Sequence, residues 1–80
     1  MEIKVLGPGC MKCRKVEALV KAAVTETGID AQIEHVTELK KIADYGVFAT
    51  PSVVVDGVVK SIGKIPKKEE IMAWIDEVGH

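Results

Sequence analysis

Two cysteines, Cys10 and Cys13, are separated by two residues in the segment GPGCMKC, and the chain contains no other cysteine. Paired thiols at this spacing can bind a metal ion, form a structural disulfide or exchange electrons with another disulfide. A structural disulfide here would close so small a loop that it would restrict the unfolded chain little. A structural zinc site normally needs four ligands, and His35 and His80 are isolated in the sequence. We therefore favour thiol exchange, expect no metal, and leave metal binding open as an alternative.

The cysteines lie where a first helix should begin. Apolar residues recur at helical spacing after Met11: Val16, Leu19, Val20, Ala23 and Val24. Cys10 falls at the predicted helix N-terminus, where unpaired N–H groups and the helix dipole favour a thiolate, and Lys12 adds positive charge nearby. Cys13 lies about one turn inside, on the side of the apolar stripe. We therefore expect Cys10 to be the nucleophile and Cys13 the resolving thiol.

The flanking segments read as strands and a further helix. EIKVL and AQIEHV alternate apolar and polar residues, as half-buried strands do. In the first of them, Ile3 and Val5 should face the core, whereas Glu2 and Lys4 should lie on a solvated face. TELKKIAD predicts a short helix, and we expect Thr37 to cap it.

The rest of the chain adds a hairpin and a last helix. SVVVDGVVKSI predicts a hairpin, because Asp56 and Gly57 both tolerate the positive φ that its turn needs. KKEEIMAWIDEV predicts a helix with Trp74 in the core and no evident side-chain cap. The element order is therefore βαβαββα. We expect one α/β domain over residues 1–80, a mixed four-stranded sheet with helices on both faces.

A second motif is YGVFATPSVVV, in which Thr50-Pro51 precedes a β-branched run. From the residues alone, Pro51 could simply start that strand in the commoner trans form. With a Cys-x-x-Cys pair opening the first helix of a βαβ unit, however, the chain resembles the thioredoxin-like family over nearly its whole length. It is most similar to the small redox-active disulfide proteins of archaea and bacteria. The resemblance implies that Pro51 is cis and packs near the cysteines, and that the Thr50 backbone pairs with an extended substrate. Gly63, in SIGK, resembles the family's glycine whose backbone approaches the active site.

The resemblance implies a thiol–disulfide oxidoreductase that acts on disulfides of proteins or small molecules. It also implies a thioredoxin-reductase-like electron donor and no cofactor beyond the redox-active Cys10–Cys13 disulfide. Met11 and Lys12, between the cysteines, should contact the substrate. The chain departs from thioredoxin in lacking a buried acid on its first strand. A zinc- or copper-binding module and a redox-regulated adaptor remain alternatives, although the helix before the third strand is absent from the heavy-metal-associated domain.

Composition bears on partners and location. The net charge is −1 with mixed signs, and aromatic residues make up 4%, so the chain offers no surface suited to nucleic acid. No apolar run approaches the roughly 20 residues of a membrane helix. The opening EIKVLG does not resemble a signal peptide. We therefore expect a cytoplasmic monomer that binds neither nucleic acid nor membrane.

Overall fold

The computed structural model of the protein describes residues 1–9 and 11–79. The expectations for Cys10 and His80 concern residues outside those described. Over the described residues the chain forms the predicted βαβαββα order: β1 (Glu2–Leu6), α1 (Met11–Thr27), β2 (Gln32–Val36), α2 (Leu39–Asp44), β3 (Ser52–Val55), β4 (Val58–Ile62) and α3 (Lys68–Gly79).

The described strands form one mixed sheet in the order β2-β1-β3-β4. β1 pairs in parallel with β2 and antiparallel with β3, so Val5 lies opposite both His35 and Val53. β3 and β4 form the antiparallel hairpin. Because β1 is an inner strand of the sheet, the loop that follows it, which leads into α1 and Cys13, starts from well-anchored backbone.

Apolar residues pack on both faces of the sheet, as predicted. The cluster against α1 and α3 contains Ile3, Val5, Val16, Val20, Ala23, Val53, Val55, Ile71 and Ile75. The cluster on the α2 side contains Leu6, Val36, Ile42, Val47 and Val54. Successive strand residues point to opposite faces, so β1 and β3 contribute to both clusters. Each fully buried aliphatic side chain contributes about 1.5–3 kcal/mol relative to an exposed one.

Two chain reversals depend on positive φ, and the second of them, the hairpin turn, was predicted. Gly28 follows α1 with φ of 69°, and its N–H donates to the Val24 carbonyl at 3.1 Å, as a helix C-terminus requires. In the hairpin, Asp56 and Gly57 have φ of 47° and 83°, the positive values of a type I′ turn. The Asp56 carboxylate also accepts from the Glu2 N–H at 2.7 Å, which ties the turn to β1.

The predicted cap of α2 is wrong. The helix begins at Leu39, its N-cap residue is Glu38, and no side chain bonds the free N–H groups there. Thr37 is exposed and lies one residue too early to cap it. The backbone closes the first turn instead, with the Ile42 N–H donating to the Glu38 carbonyl at 3.0 Å.

The last helix also differs from expectation in two details. Trp74 is only partly buried and packs against the margin of the core, because Ile71 and Ile75 occupy its interior. The start of α3 does have a side-chain cap, since the Glu70 carboxylate accepts from the Lys67 N–H at 3.2 Å. That hydrogen bond, and a second from Lys64, lower the pKa of Glu70.

Candidate redox site

The loop after β1 leads the chain from the sheet into α1. The Gly7 N–H makes a last hydrogen bond to the Val36 carbonyl at 2.9 Å. Pro8 has no N–H to continue the pairing, and Gly9 has φ of 90°, a left-handed conformation that other residues rarely adopt. The strand therefore ends here, and the chain turns so that Met11 is the first residue of α1.

Cys13 is fully buried on the inner face of α1, which it shares with Val16 and Val20. Gly7 packs directly against it, because a Cβ added at Gly7 would overlap the Cys13 Sγ atom and lie 3.2 Å from its Cβ. Only a glycine fits between β1 and this thiol. The sequence shows Gly7 as a strand breaker and does not reveal this contact, which joins residues on different elements.

The Thr50–Pro51 segment lies beside the same contact. The peptide bond between the two residues is cis, and Pro51 is buried. The Thr50 Cβ lies 3.7 Å from the point where a Gly7 Cβ would stand, so Thr50 and Cys13 flank Gly7. The Ser52 hydroxyl donates to the Ala49 carbonyl at 2.7 Å, which stabilises the turn before β3.

Gly63 connects the end of β4 to this segment. Its N–H donates to the Pro51 carbonyl at 2.9 Å, and its φ is 68°. A Cβ at Gly63 would lie 2.8 Å from the Ala49 Cβ, closer than two such atoms approach. The structure thus joins Gly63 to Pro51, and the adjacent Thr50 flanks the contact between Gly7 and Cys13.

Exposed side chains surround these buried groups. Met11 is 86% exposed and Lys12 is exposed, both in the first turn of α1. Phe48 is 89% exposed, and no role was predicted for it from the sequence. The sequence feature that could have pointed to Phe48 is an aromatic residue that fits no strand or helix pattern and lies next to Thr50-Pro51. It borders a groove of about 250 Å³ lined by Leu39, Ile42, Ala43, Val47, Phe48, Ala49 and Thr50.

His35 lies on β2, an edge strand of the sheet, and its side chain is only 19% exposed. Its Nε2 atom lies 3.1 Å from the Gly7 carbonyl oxygen. Its Nδ1 atom lies 3.6 Å from the Glu17 carboxylate on α1. The histidine that stands alone in the sequence therefore contacts the loop before the cysteines.

Lys4 departs from its predicted solvated position. Its side chain is 26% exposed and lines a cleft of about 340 Å³ on the α2 side of the sheet. Its ammonium group donates to the Tyr45 hydroxyl at 2.9 Å and lies 4.0 Å from the Glu34 carboxylate. The hydrogen bond to Tyr45 raises the pKa of Lys4. Glu2 is exposed, as expected.

Two other kinds of site are absent from the described residues. Among them, no group of three or more His, Cys, Asp or Glu side chains is arranged to hold a metal ion. No helix in that part of the chain is long and apolar enough to cross a membrane.

The element order βαβαββα, the mixed four-stranded sheet and a Cys-x-x-Cys pair at the start of the first helix together define the thioredoxin-like class. A family model described as a thioredoxin domain matches residues 1–76. A thioredoxin from Methanocaldococcus jannaschii is 49% identical over 69 residues, which cover 86% of this chain and 79% of that protein. A thioredoxin from Methanothermobacter thermautotrophicus is 41% identical over 71 residues, with 89% and 92% covered. The chain belongs to the thioredoxin family.

Membership of this family establishes the type of reaction. The protein is a thiol–disulfide oxidoreductase of the disulfide-reductase type, as the resemblance implied. The family assignment favours this activity over the metal-binding module and the redox-regulated adaptor. Members of the family react through a disulfide of their own rather than through a bound cofactor.

Proposed function

We propose that the protein reduces disulfides of protein substrates, with Cys10 as the attacking thiolate and Cys13 as the resolving thiol. The observation that carries this assignment is the complete burial of Cys13 against Gly7. A buried thiol suits the resolving role, because the resolving thiol attacks only a substrate that is already bound to Cys10 in the mixed disulfide. Cys10 directly precedes Met11, the first residue of α1, and a thiol at a helix N-terminus has a lowered pKa.

The exchange proceeds in two balanced steps. The Cys10 thiolate attacks one sulfur of the substrate disulfide and forms a mixed disulfide, and the other substrate sulfur leaves as a thiolate. The Cys13 thiol then loses its proton and attacks the Cys10 sulfur, which releases the second substrate sulfur. The substrate gains two electrons and two protons, and the Cys10–Cys13 pair becomes a disulfide. That disulfide is the redox group that the protein itself contributes to the cycle.

The substrate would lie across the exposed rim of the site. In this proposal Met11 and Lys12, which lie between the cysteines in the sequence, form one side of the substrate site, and the segment of Thr50 and Pro51, with Gly63 bonded to it, forms the other. An extended peptide could hydrogen-bond to the Thr50 backbone, and its apolar side chains could rest on Met11. This arrangement favours unfolded or extended segments of disulfide-containing proteins, with small disulfides as simpler substrates.

The reduced state must be restored by another dithiol. A thioredoxin-reductase-like electron donor supplies it in this proposal, and it would use the same rim of the site. We further propose that residues 1–80 act as a single domain and as a cytoplasmic monomer. Neither nucleic acid nor membrane has a part in this cycle.

The test is to trap the mixed disulfide. A Cys13→Ser variant, incubated with a protein disulfide such as that of insulin, should accumulate a covalent complex that dithiothreitol releases. The matched Cys10→Ser variant should form none, and it should also lose the rapid reaction with iodoacetamide at neutral pH. Trapping only by Cys10→Ser would reverse the two roles. A wild-type protein that does not reduce insulin with dithiothreitol would contradict the proposed substrate class.

A further inference from the structure

The His35 side chain connects three elements next to the cysteine loop. It lies on the α1 face of β2, and Nδ1 is 3.6 Å from the Glu17 carboxylate of α1. The Lys21 ammonium lies 3.7 Å from the other oxygen of that carboxylate. On its opposite side, the ring contacts the Gly7 carbonyl at 3.1 Å. A ring held on both sides has little freedom to rotate.

The Gly7 contact requires a hydrogen on the Nε2 atom of His35. A carbonyl oxygen can only accept, so Nε2 must be the donor. Gly7 also donates its own N–H to the Val36 carbonyl at 2.9 Å. Both backbone polar groups of Gly7 are therefore bonded to β2, one through the backbone and the other through the His35 side chain.

The Cys13 sulfur packs directly against Gly7, so closely that a Cβ at Gly7 would overlap Sγ. A displacement of the Gly7 backbone would move the surface that holds this thiol. We propose that His35 is a positioning residue of the redox centre, which fixes the Gly7 peptide and thereby the position from which Cys13 attacks the mixed disulfide. This inference rests on the resolving role proposed for Cys13.

His35 transfers no proton or electron in this role. The resolving step needs the Cys13 sulfur close to Cys10 and in line with the bond that breaks, and such alignment contributes strongly to rate. Without the Nε2 donor, the Gly7 carbonyl would lose its hydrogen bond to β2. The turn from β1 into the loop would then shift. The effect should therefore fall on the resolving step and not on the first attack by Cys10.

Three substitutions separate the hydrogen bond from simple packing. In His35→Gln, the amide nitrogen can occupy nearly the position of Nε2 and donate to Gly7. In His35→Asn, the shorter amide reaches only the position of Nδ1, and His35→Leu has no donor. For each variant, the mixed disulfide is formed with a small aromatic disulfide, and the rate of its resolution by Cys13 is followed. Cys10 alkylation by iodoacetamide, measured on the reduced protein, reports the first thiol alone.

We expect resolution to slow about two- to tenfold in His35→Asn and His35→Leu, the factor that corresponds to loss of one hydrogen bond of this kind. His35→Gln should retain the wild-type rate within about twofold. Alkylation of Cys10 should stay the same in all three variants. If His35→Leu does not fold, the comparison of His35→Gln with His35→Asn still tests the hydrogen bond to Gly7. Both side chains are polar amides, and they differ only in whether the amide nitrogen reaches the Gly7 carbonyl.

Equal resolution rates in the Gln and Asn variants, whether fast or slow, would overturn the inference. A parallel fall in Cys10 alkylation would overturn it too, since the loop would then act on both thiols. If Cys13 does not resolve the mixed disulfide in the wild-type protein, the proposed function fails, and this inference fails with it. The wild-type measurement thus distinguishes the two failures.

Discussion

The contact between Gly7 and Cys13 predicts that even one methyl group at position 7 will damage the redox site. Gly7 does not have positive φ, so the backbone itself would accept alanine. The added Cβ would nevertheless overlap the Cys13 Sγ atom and lie 3.2 Å from its Cβ. Because Cys13 is fully buried, its sulfur cannot turn out into solvent to relieve the overlap.

Overpacking of this kind costs about 1–3 kcal/mol. We therefore expect Gly7→Ala to lower the free energy of unfolding of the reduced protein by about 1–3 kcal/mol, measured by urea denaturation. Insulin reduction with dithiothreitol should fall by about tenfold, since a misplacement that costs 1.4 kcal/mol in the transition state corresponds to that factor. Both effects have one cause, the displacement of the Cys13 sulfur from the wall of the site.

The matched control is Gly28→Ala at the end of α1. Gly28 has φ of 69°, and a Cβ there would meet nothing within 4 Å. Alanine should cost about 1–2 kcal/mol of stability through the backbone alone and leave the rate of insulin reduction unchanged. Wild-type stability and activity in Gly7→Ala would refute the reasoning, because the sulfur would then have room to move.

Three further predictions concern Glu70, Thr37 and Phe48. Glu70→Gln should lower the free energy of unfolding at neutral pH, because the pKa of Glu70 is lower in the folded than in the unfolded protein. The ionised carboxylate therefore stabilises the folded state above the pKa that Glu70 has in the unfolded chain. In urea titrations, the difference from wild type should disappear as the pH falls through the pKa of Glu70 in the folded protein. An undiminished difference at low pH would contradict this origin. Thr37→Ala should change the unfolding free energy by less than about 0.5 kcal/mol, since Thr37 does not cap α2, and a loss of 1 kcal/mol or so would restore its predicted role. Phe48→Ala should leave thermal stability almost unchanged, because the ring is 89% exposed, but should slow reduction of a protein disulfide more than of a small aromatic disulfide. Equal effects on both substrates would exclude Phe48 from the substrate surface.

Local chemistry made much of this fold predictable. The Asp56-Gly57 pair determines its turn through backbone preference alone, and the structure has positive φ at both residues. Ile3 and Val5 show the two-residue period of a half-buried strand, and both are fully buried. The family motifs predicted which elements would meet at the site, because Cys-x-x-Cys and Thr-Pro mark the ends of particular strands and helices.

The errors arose where tertiary contacts override local preference. Thr37 is a good capping residue, but the path of the chain out of β2 starts α2 at Leu39 and puts Thr37 out of reach. Lys4 has the polar character of a solvated strand position, yet Tyr45, which lies 41 positions along the chain, accepts a hydrogen bond from it. The contacts of Gly7 with Cys13 and His35 likewise depend on three separate elements. Spacing within one segment cannot reveal such contacts.

The order of strands in the sheet also bears on how the protein is made. β1 lies between β2 and β3, and Ile3 is paired with Val55 in the antiparallel ladder. During synthesis on the ribosome, the first strand must therefore wait until about fifty more residues have emerged before its second neighbour can pair with it. Thr50, which flanks Gly7 beside the Cys13 sulfur, arrives in the same late segment. The Cys13 thiol, which is buried in the finished protein, is thus made well before Thr50 and stays open to oxidants in the nascent chain until that late segment has emerged and packed.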